Sequence, residues 1–93
     1  MLTQSSFMQA MNHRRDTIVI LSEILSCAVN GVGKCQIIYK VGLSTAQTNK
    51  FLQLLLKSEL LTTSDGSGKI EYRTTTKGKS FLETFDVLTK LFA

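Results

Sequence analysis

Between Thr45 and Ser58 the chain carries its densest set of groups able to do chemistry: Thr45, Gln47, Asn49, Lys50, Gln53 and Lys57, without one carboxylate among them. At about 100° per residue, a helix over 45–58 gathers Thr48, Phe51, Leu52 and Leu55 on one side. Ala46, Lys50, Gln53 and Lys57 fall on the opposite side, with Asn49 at its edge. Such a surface suits nucleic acid, because amides hydrogen-bond base edges and cations bind phosphates. Gln47, Asn49 and Gln53 are the candidates for base edges, with adenine the favoured partner of an amide. Thr45 and Ala46 suit a thymine methyl or a phosphate, and Lys50 and Lys57 suit phosphates. Ser44, the expected N-cap, completes the candidate set on this element. The surface has no arginine, the commonest base-reading residue, which predicts weak sequence readout and an affinity that falls with salt.

Other constellations carry little chemistry. Cys27 and Cys35 are the only cysteines and His13 the only histidine, too few at the wrong spacing for a four-ligand zinc site. Cys27 lies on an apolar helix face and reads as a buried thiol, and Cys35 opens the next helix. His13 has Asp16 three residues on but no nucleophile or second carboxylate near it in sequence. Gly31-Val32-Gly33-Lys34 has only part of a phosphate-loop pattern, without its full spacing. Tyr39, Tyr72 and the phenylalanines stand at core-like positions, which points to packing rather than base stacking. No enzyme activity, metal, cofactor or small-molecule ligand is expected.

The elements that must position the candidate helix follow from periodicity. Residues 1–13 have mixed polarity and read as a tail or a helical extension. Arg14 to Val29 reads as a first helix, with Thr17, Leu21, Ile24, Leu25 and Ala28 on one face and Asn30-Gly31 ending it. Lys34 to Val41 is a short second helix with Ile37, Ile38 and Val41 apolar. Gly42-Leu43 turns the chain, Leu43 plugging the angle before Ser44 caps the third helix. After Ser58 the period changes to two. Leu61 and Thr63, then Ile70 and Tyr72, flank Asp65-Gly66-Ser67-Gly68, a β-hairpin over 61–74 with a four-residue loop. Thr75 caps a last helix over 75–92. On it Phe81, Phe85, Leu88 and Phe92 form one stripe, and Lys79, Glu83, Asp86 and Lys90 the opposite one, with Asp86 placed to pair Lys90. Leu82, Val87 and Leu91 widen the apolar surface to roughly 220°, against the ~100° that one core contact needs. A helix that broad calls for a second partner, and another copy of the chain fits. Its candidate contacts are Leu82, Phe85, Leu88, Leu91 and Phe92.

Ninety-three residues suit a single domain with a modest core. A 43% hydrophobic and 19% charged composition argues against a disordered chain. No apolar run approaches the roughly 18 residues of a membrane span, and no signal-peptide pattern precedes the first helix, so a cytoplasmic protein is expected. The net charge of +4 is localised: Lys34 to Ser80 holds eight lysines or arginines against three acids. That excess surrounds the candidate helix and favours a polyanionic partner. On the hairpin, Lys69 and Arg73 are the cations that could reach a nucleic-acid backbone.

The order α-α-α-β-β-α resembles the winged helix-turn-helix, mainly α with a small β-hairpin. "CQIIYKVGLSTAQTNKFLQLLLKSELL" is similar to the segment of small archaeal winged-helix proteins in which I-x-Y-x-x-x-L-S precedes the recognition helix; Ile37, Tyr39, Leu43 and Ser44 match it. "YRTTTKGKSFLE" is similar to their Y-x-T-T-x-K-G-x-x-F-L signature, matched by Tyr72, Thr74, Thr75, Lys77, Gly78, Phe81 and Leu82. The resemblance covers about Arg14 to Ala93, a winged-helix domain over 14–93. That family includes predicted transcription regulators and a small DNA-binding protein of thermoacidophiles, which dimerises through an antiparallel coiled coil of its last helix. The resemblance implies binding of double-stranded DNA by the third helix and the wing, a homodimer through the C-terminal helix, and a place on the nucleoid. The expected function is therefore a homodimeric transcription regulator. A DNA-coating architectural protein and a winged helix used as a protein-interaction module are the alternatives. Thr48 departs from the pattern, standing where an apolar residue is usual.

Overall fold

The computed structural model describes residues 17–66 and 68–92. Helices α1 (Thr17–Cys27), α2 (Lys34–Val41) and α3 (Thr45–Lys57) precede strands β1 (Leu61–Gly66) and β2 (Lys69–Thr74), and α4 (Thr76–Phe92) closes the chain. The expected tail 1–13 and the first residues of the expected first helix lie outside the described residues. At its other end α1 stops at Cys27, two residues before the expected Val29, and Ala28 is buried in the turn that follows.

The core forms where the helical stripes meet. Ile24 and Leu25 of α1, Ile37 and Val41 of α2, Leu52 and Leu55 of α3, and Leu61 of β1 are buried together. Leu43 joins them from the turn between α2 and α3, as its position predicts. Burying a side chain of this size contributes roughly 1.5–3 kcal/mol, so these few residues account for most of what holds a small domain together.

The hairpin spans 61–74 as expected, but its strands are longer and its loop tighter than the turn residues suggest. The antiparallel register runs from Leu61↔Thr74 to Gly66↔Lys69, so Asp65 and Gly66 belong to β1 and the loop is residues 67–68. Of β1 only Leu61 is buried. The rest projects as a two-stranded ribbon with Gly68 at φ 78° in its turn, a conformation glycine takes without a Cβ clash. A third backbone segment joins this ribbon. Val32 and Tyr72 exchange hydrogen bonds of 2.9 and 2.7 Å, an isolated bridge tying the α1–α2 connection to β2. A single bridging residue has no period, so the sequence carried no signal for it.

The Thr-Thr-x-Lys-Gly signature proves to be a structural joint. Thr74 Oγ1 donates to the carbonyl of Leu25 at 2.6 Å, holding β2 to α1. Thr75 Oγ1 donates to the carbonyl of Glu59 at 2.7 Å and accepts from Gly78 N at 3.0 Å, capping α4 as expected. Lys77 Nζ donates to the carbonyl of Ser58 at 3.0 Å, where a cation also complements the C-terminal end of α3. Gly78 is buried against this joint, and a Cβ there would collide with the Leu60 carbonyl and the Thr74 methyl. Only glycine lets the first turn of α4 approach so closely.

Candidate nucleic-acid interface

Both ends of α3 are fixed by hydrogen bonds. At the start Ser44 Oγ accepts from Gln47 N at 3.1 Å, while Gln47 Oε1 accepts from Ser44 N at 3.2 Å, a reciprocal capping box. Before it, Gly42 takes φ 77° and donates its N–H to Ile38 O at 2.9 Å, ending α2 and setting the tight turn. At the other end Leu60 N reaches Leu55 O at 3.0 Å and Glu59 N reaches Leu56 O at 3.1 Å, a Schellman closure. Glu59 supplies the left-handed residue at φ 64°, a conformation that disfavours a side chain. The Thr75 and Lys77 bonds hold it there.

The buried side of α3 is Thr48, Leu52 and Leu55. Thr48 is fully enclosed and its Oγ1 has no hydrogen-bond partner. An unsatisfied buried hydroxyl costs about 1–3 kcal/mol, so the sequence departure at this position is a real weakness in the seating of the helix.

The outward side brings the expected residues together. Thr45, Ala46, Gln47, Lys50, Gln53 and Lys57 are exposed, and Asn49 is half-buried at the edge. Two of the candidates have a structural duty. Ser44 and the amide oxygen of Gln47 are spent on the capping box, leaving the Gln47 NH2 to donate. On the wing, residues alternate in direction, so Lys69, Glu71 and Arg73 share one face of β2. Arg73 is paired there with Glu71 at 3.1 Å, both about half exposed. An exposed pair of this kind is worth little, and a phosphate can compete for the guanidinium.

Three residues depart from what the sequence suggests, two of them exposed and the third, Lys34, half-buried. Tyr39, expected in the core, is 88% exposed on α2, because Ile37 and Val41 take the inward side of that short helix. Leu54, expected as part of a core run, is 45% exposed on the outward side of α3. Lys34 opens α2 and lines one groove with Lys69 of the wing, together with Gly33 and Ile70. A lysine in a first turn opposes the helix dipole, and that local cost was the available signal. Helices α2, α3 and α4 have no acid in their first turns, so their N-terminal ends stay electropositive. Among the described residues no group of three or more His, Cys, Asp or Glu is placed to hold a metal ion.

On α4, Phe81 and Leu82 pack against the protein's own core, and the rings of Phe81 and Phe85 stack with centroids 6.5 Å apart. Leu82 is therefore at least partly spent inside the protomer. Val87 at 57% and Leu91 at 71% are exposed, with Leu88 beside them. The expected Asp86–Lys90 pair forms at 3.1 Å on the exposed side. The side chain of Phe92 lies outside the described atoms.

A capped helix behind a tight glycine turn, backed by a β-ribbon, defines a winged helix-turn-helix. The chain belongs to the winged helix-turn-helix family, whose sequence model matches residues 14–92. It is similar to Sso10a-2, a DNA-binding protein from Sulfolobus solfataricus, at 26% identity and a TM-score of 0.76 over 83% of this chain and 81% of that one. NolR from Sinorhizobium fredii shares the fold at 23% identity and a TM-score of 0.64, over 94% of this chain and 81% of that one. So does the transcriptional repressor BigR from Xylella fastidiosa, at 15% identity and a TM-score of 0.62, over 99% and 98%. No curated protein sequence matches the chain significantly. Among the described residues no helix is long and apolar enough to cross a membrane.

Proposed function

We propose that this protein binds double-stranded DNA as a homodimer and acts as a transcription regulator. The helix α3 enters the major groove and the wing lies on the backbone. The observation that carries this reading is the outward side of α3, where lysines and amides stand clear of carboxylates on a helix pinned at both ends. Electropositive helix ends and the localised positive charge support it. So do Sso10a-2 as a DNA-binding protein and BigR as a transcriptional repressor. Gln53 and Asn49 read base edges, Ala46 and Thr45 line the groove, and Lys50, Lys57, Lys69 and Arg73 neutralise phosphates. Ser44 and Gln47 set the register of the helix. The exposed end of α4 at Leu88 and Leu91, continued by Phe85, supplies the contact with a second copy. A cytoplasmic, nucleoid-associated protein follows from these roles.

The test is a gel-shift titration of Lys50→Ala and Gln53→Ala on duplex DNA at two salt concentrations. Lys50→Ala should weaken binding on all sequences and reduce the salt slope by about one, and Gln53→Ala should cost about 1–3 kcal/mol on the preferred sequence. If both variants bind like wild type at both salt concentrations, α3 is not the reader.

A DNA-coating role is the second reading, favoured by the lack of arginine on α3 and by the pairing of Arg73 with Glu71. A ratio of preferred to random-sequence affinity near one would select it.

A further inference from the structure

The outward side of α3 holds one group that neither phosphate binding nor amide readout explains. Leu54 is 45% exposed, although a leucine of this helix has a filled core directly behind it at Leu52 and Leu55. It stands one turn after Lys50 and three residues before Lys57, within about 60° of the centre of the exposed arc. Ala46, four residues before Lys50, is the other apolar group of that arc. An apolar side chain between two lysines gains nothing from water, and it cannot serve a phosphate.

We infer that Leu54 makes an apolar contact with the C5-methyl group of a thymine in the major groove. This rests on the proposal that α3 reads duplex DNA. The thymine methyl is the one apolar feature the major groove displays, while the adenine opposite it offers the acceptor and donor that an amide matches. Leu54 and Ala46 beside Gln53 and Asn49 therefore form a surface suited to A·T pairs, with methyl contact on one strand and amide contact on the other. The preference arises from the major groove, without an arginine.

Duplexes of dA·dT and dA·dU differ only in that methyl, so no operator sequence is needed for the test. Wild type should bind the dA·dT duplex about fourfold more tightly for each methyl contact, the equivalent of about 0.8 kcal/mol per buried carbon. Leu54→Ala should lose the share of that preference due to Leu54, about fourfold, leaving only what Ala46 contributes, and Leu54→Met, which keeps an apolar tip, should retain the preference. Leu54 lies outside the core, so both variants should keep the wild-type melting temperature. Equal binding of both duplexes by wild type overturns the inference, as does a preference that survives Leu54→Ala undiminished. Absence of binding to either duplex at low salt overturns the duplex-binding reading itself, an outcome distinct from equal binding.

Discussion

Helices α3 and α4 both carry apolar residues on the outside, but they are anchored differently. The capping box holds α3 at Ser44 and Gln47, and the Schellman closure with the Thr75 and Lys77 bonds holds its far end. Only one outward residue of α3 is a large apolar one, Leu54. By contrast α4 is fastened at its start, through Thr75 and the close approach of Gly78, and packs on the core through Phe81 and Leu82. Beyond Phe85 it carries Val87, Leu88 and Leu91 into solvent. With 17 residues it is about 25 Å long, more than its own core can cover. A finished surface with a fixed shape is what presentation to a ligand requires, whereas a surface left apolar over consecutive turns needs a cover. The first describes α3 and the second describes α4.

Charging the unfinished surface should have the largest effect. In Leu88→Glu combined with Leu91→Glu, a dimer through α4 loses two leucine contacts from each copy. At 1.5–3 kcal/mol for each buried side chain, four lost contacts amount to about 6 kcal/mol or more, so the dimer dissociation constant should rise by about ten-thousandfold or more. Sedimentation at tens of micromolar should then report a dimer for wild type and a monomer for the variant. A wild type that is already monomeric, or a variant of unchanged mass, breaks the contrast between the two helices.

A smaller effect should sharpen it from the other side. Thr48→Val replaces the unpartnered hydroxyl with a methyl of nearly the same shape. It should stabilise the protein by about 1 kcal/mol and raise the melting temperature by roughly 4–8 °C for a domain of this size. Thermal unfolding followed by circular dichroism measures this. A lower melting temperature would mean that the hydroxyl has a partner and that α3 is better seated than its packing implies.

Local rules made much of this legible in the sequence. The bounds of α2, the Gly42 turn, the Ser44 cap and the Thr75 cap depend on residues within a few positions, and all stand where expected. The Asp86–Lys90 pair is local too. Of what failed, one feature depended on neighbours far away in the chain and another on how far the strand pairing extends. The Val32–Tyr72 bridge joins segments 40 residues apart, and the pairing of Gly66 with Lys69 overrode the turn propensity of Asp65-Gly66. Tyr39 and Leu54 are a different kind of miss. Tyr39 lies about 200° around the helix from Ile37, and Leu54 about 100° from Leu55. Geometry already set them apart from the buried side, but motif position and an unbroken leucine run suggested burial. The expected site residues of α3 do share one surface.

DNA binding by α3 is tested most directly by following amide chemical shifts by nuclear magnetic resonance while duplex DNA is titrated into the labelled protein. DNA bound by α3 and the wing should concentrate the shifts in residues 44–57 and from Gly66 to Arg73, with the end of α4 around Val87 to Leu91 unmoved. Shifts confined to α4, or none in α3 at saturating DNA, would contradict it.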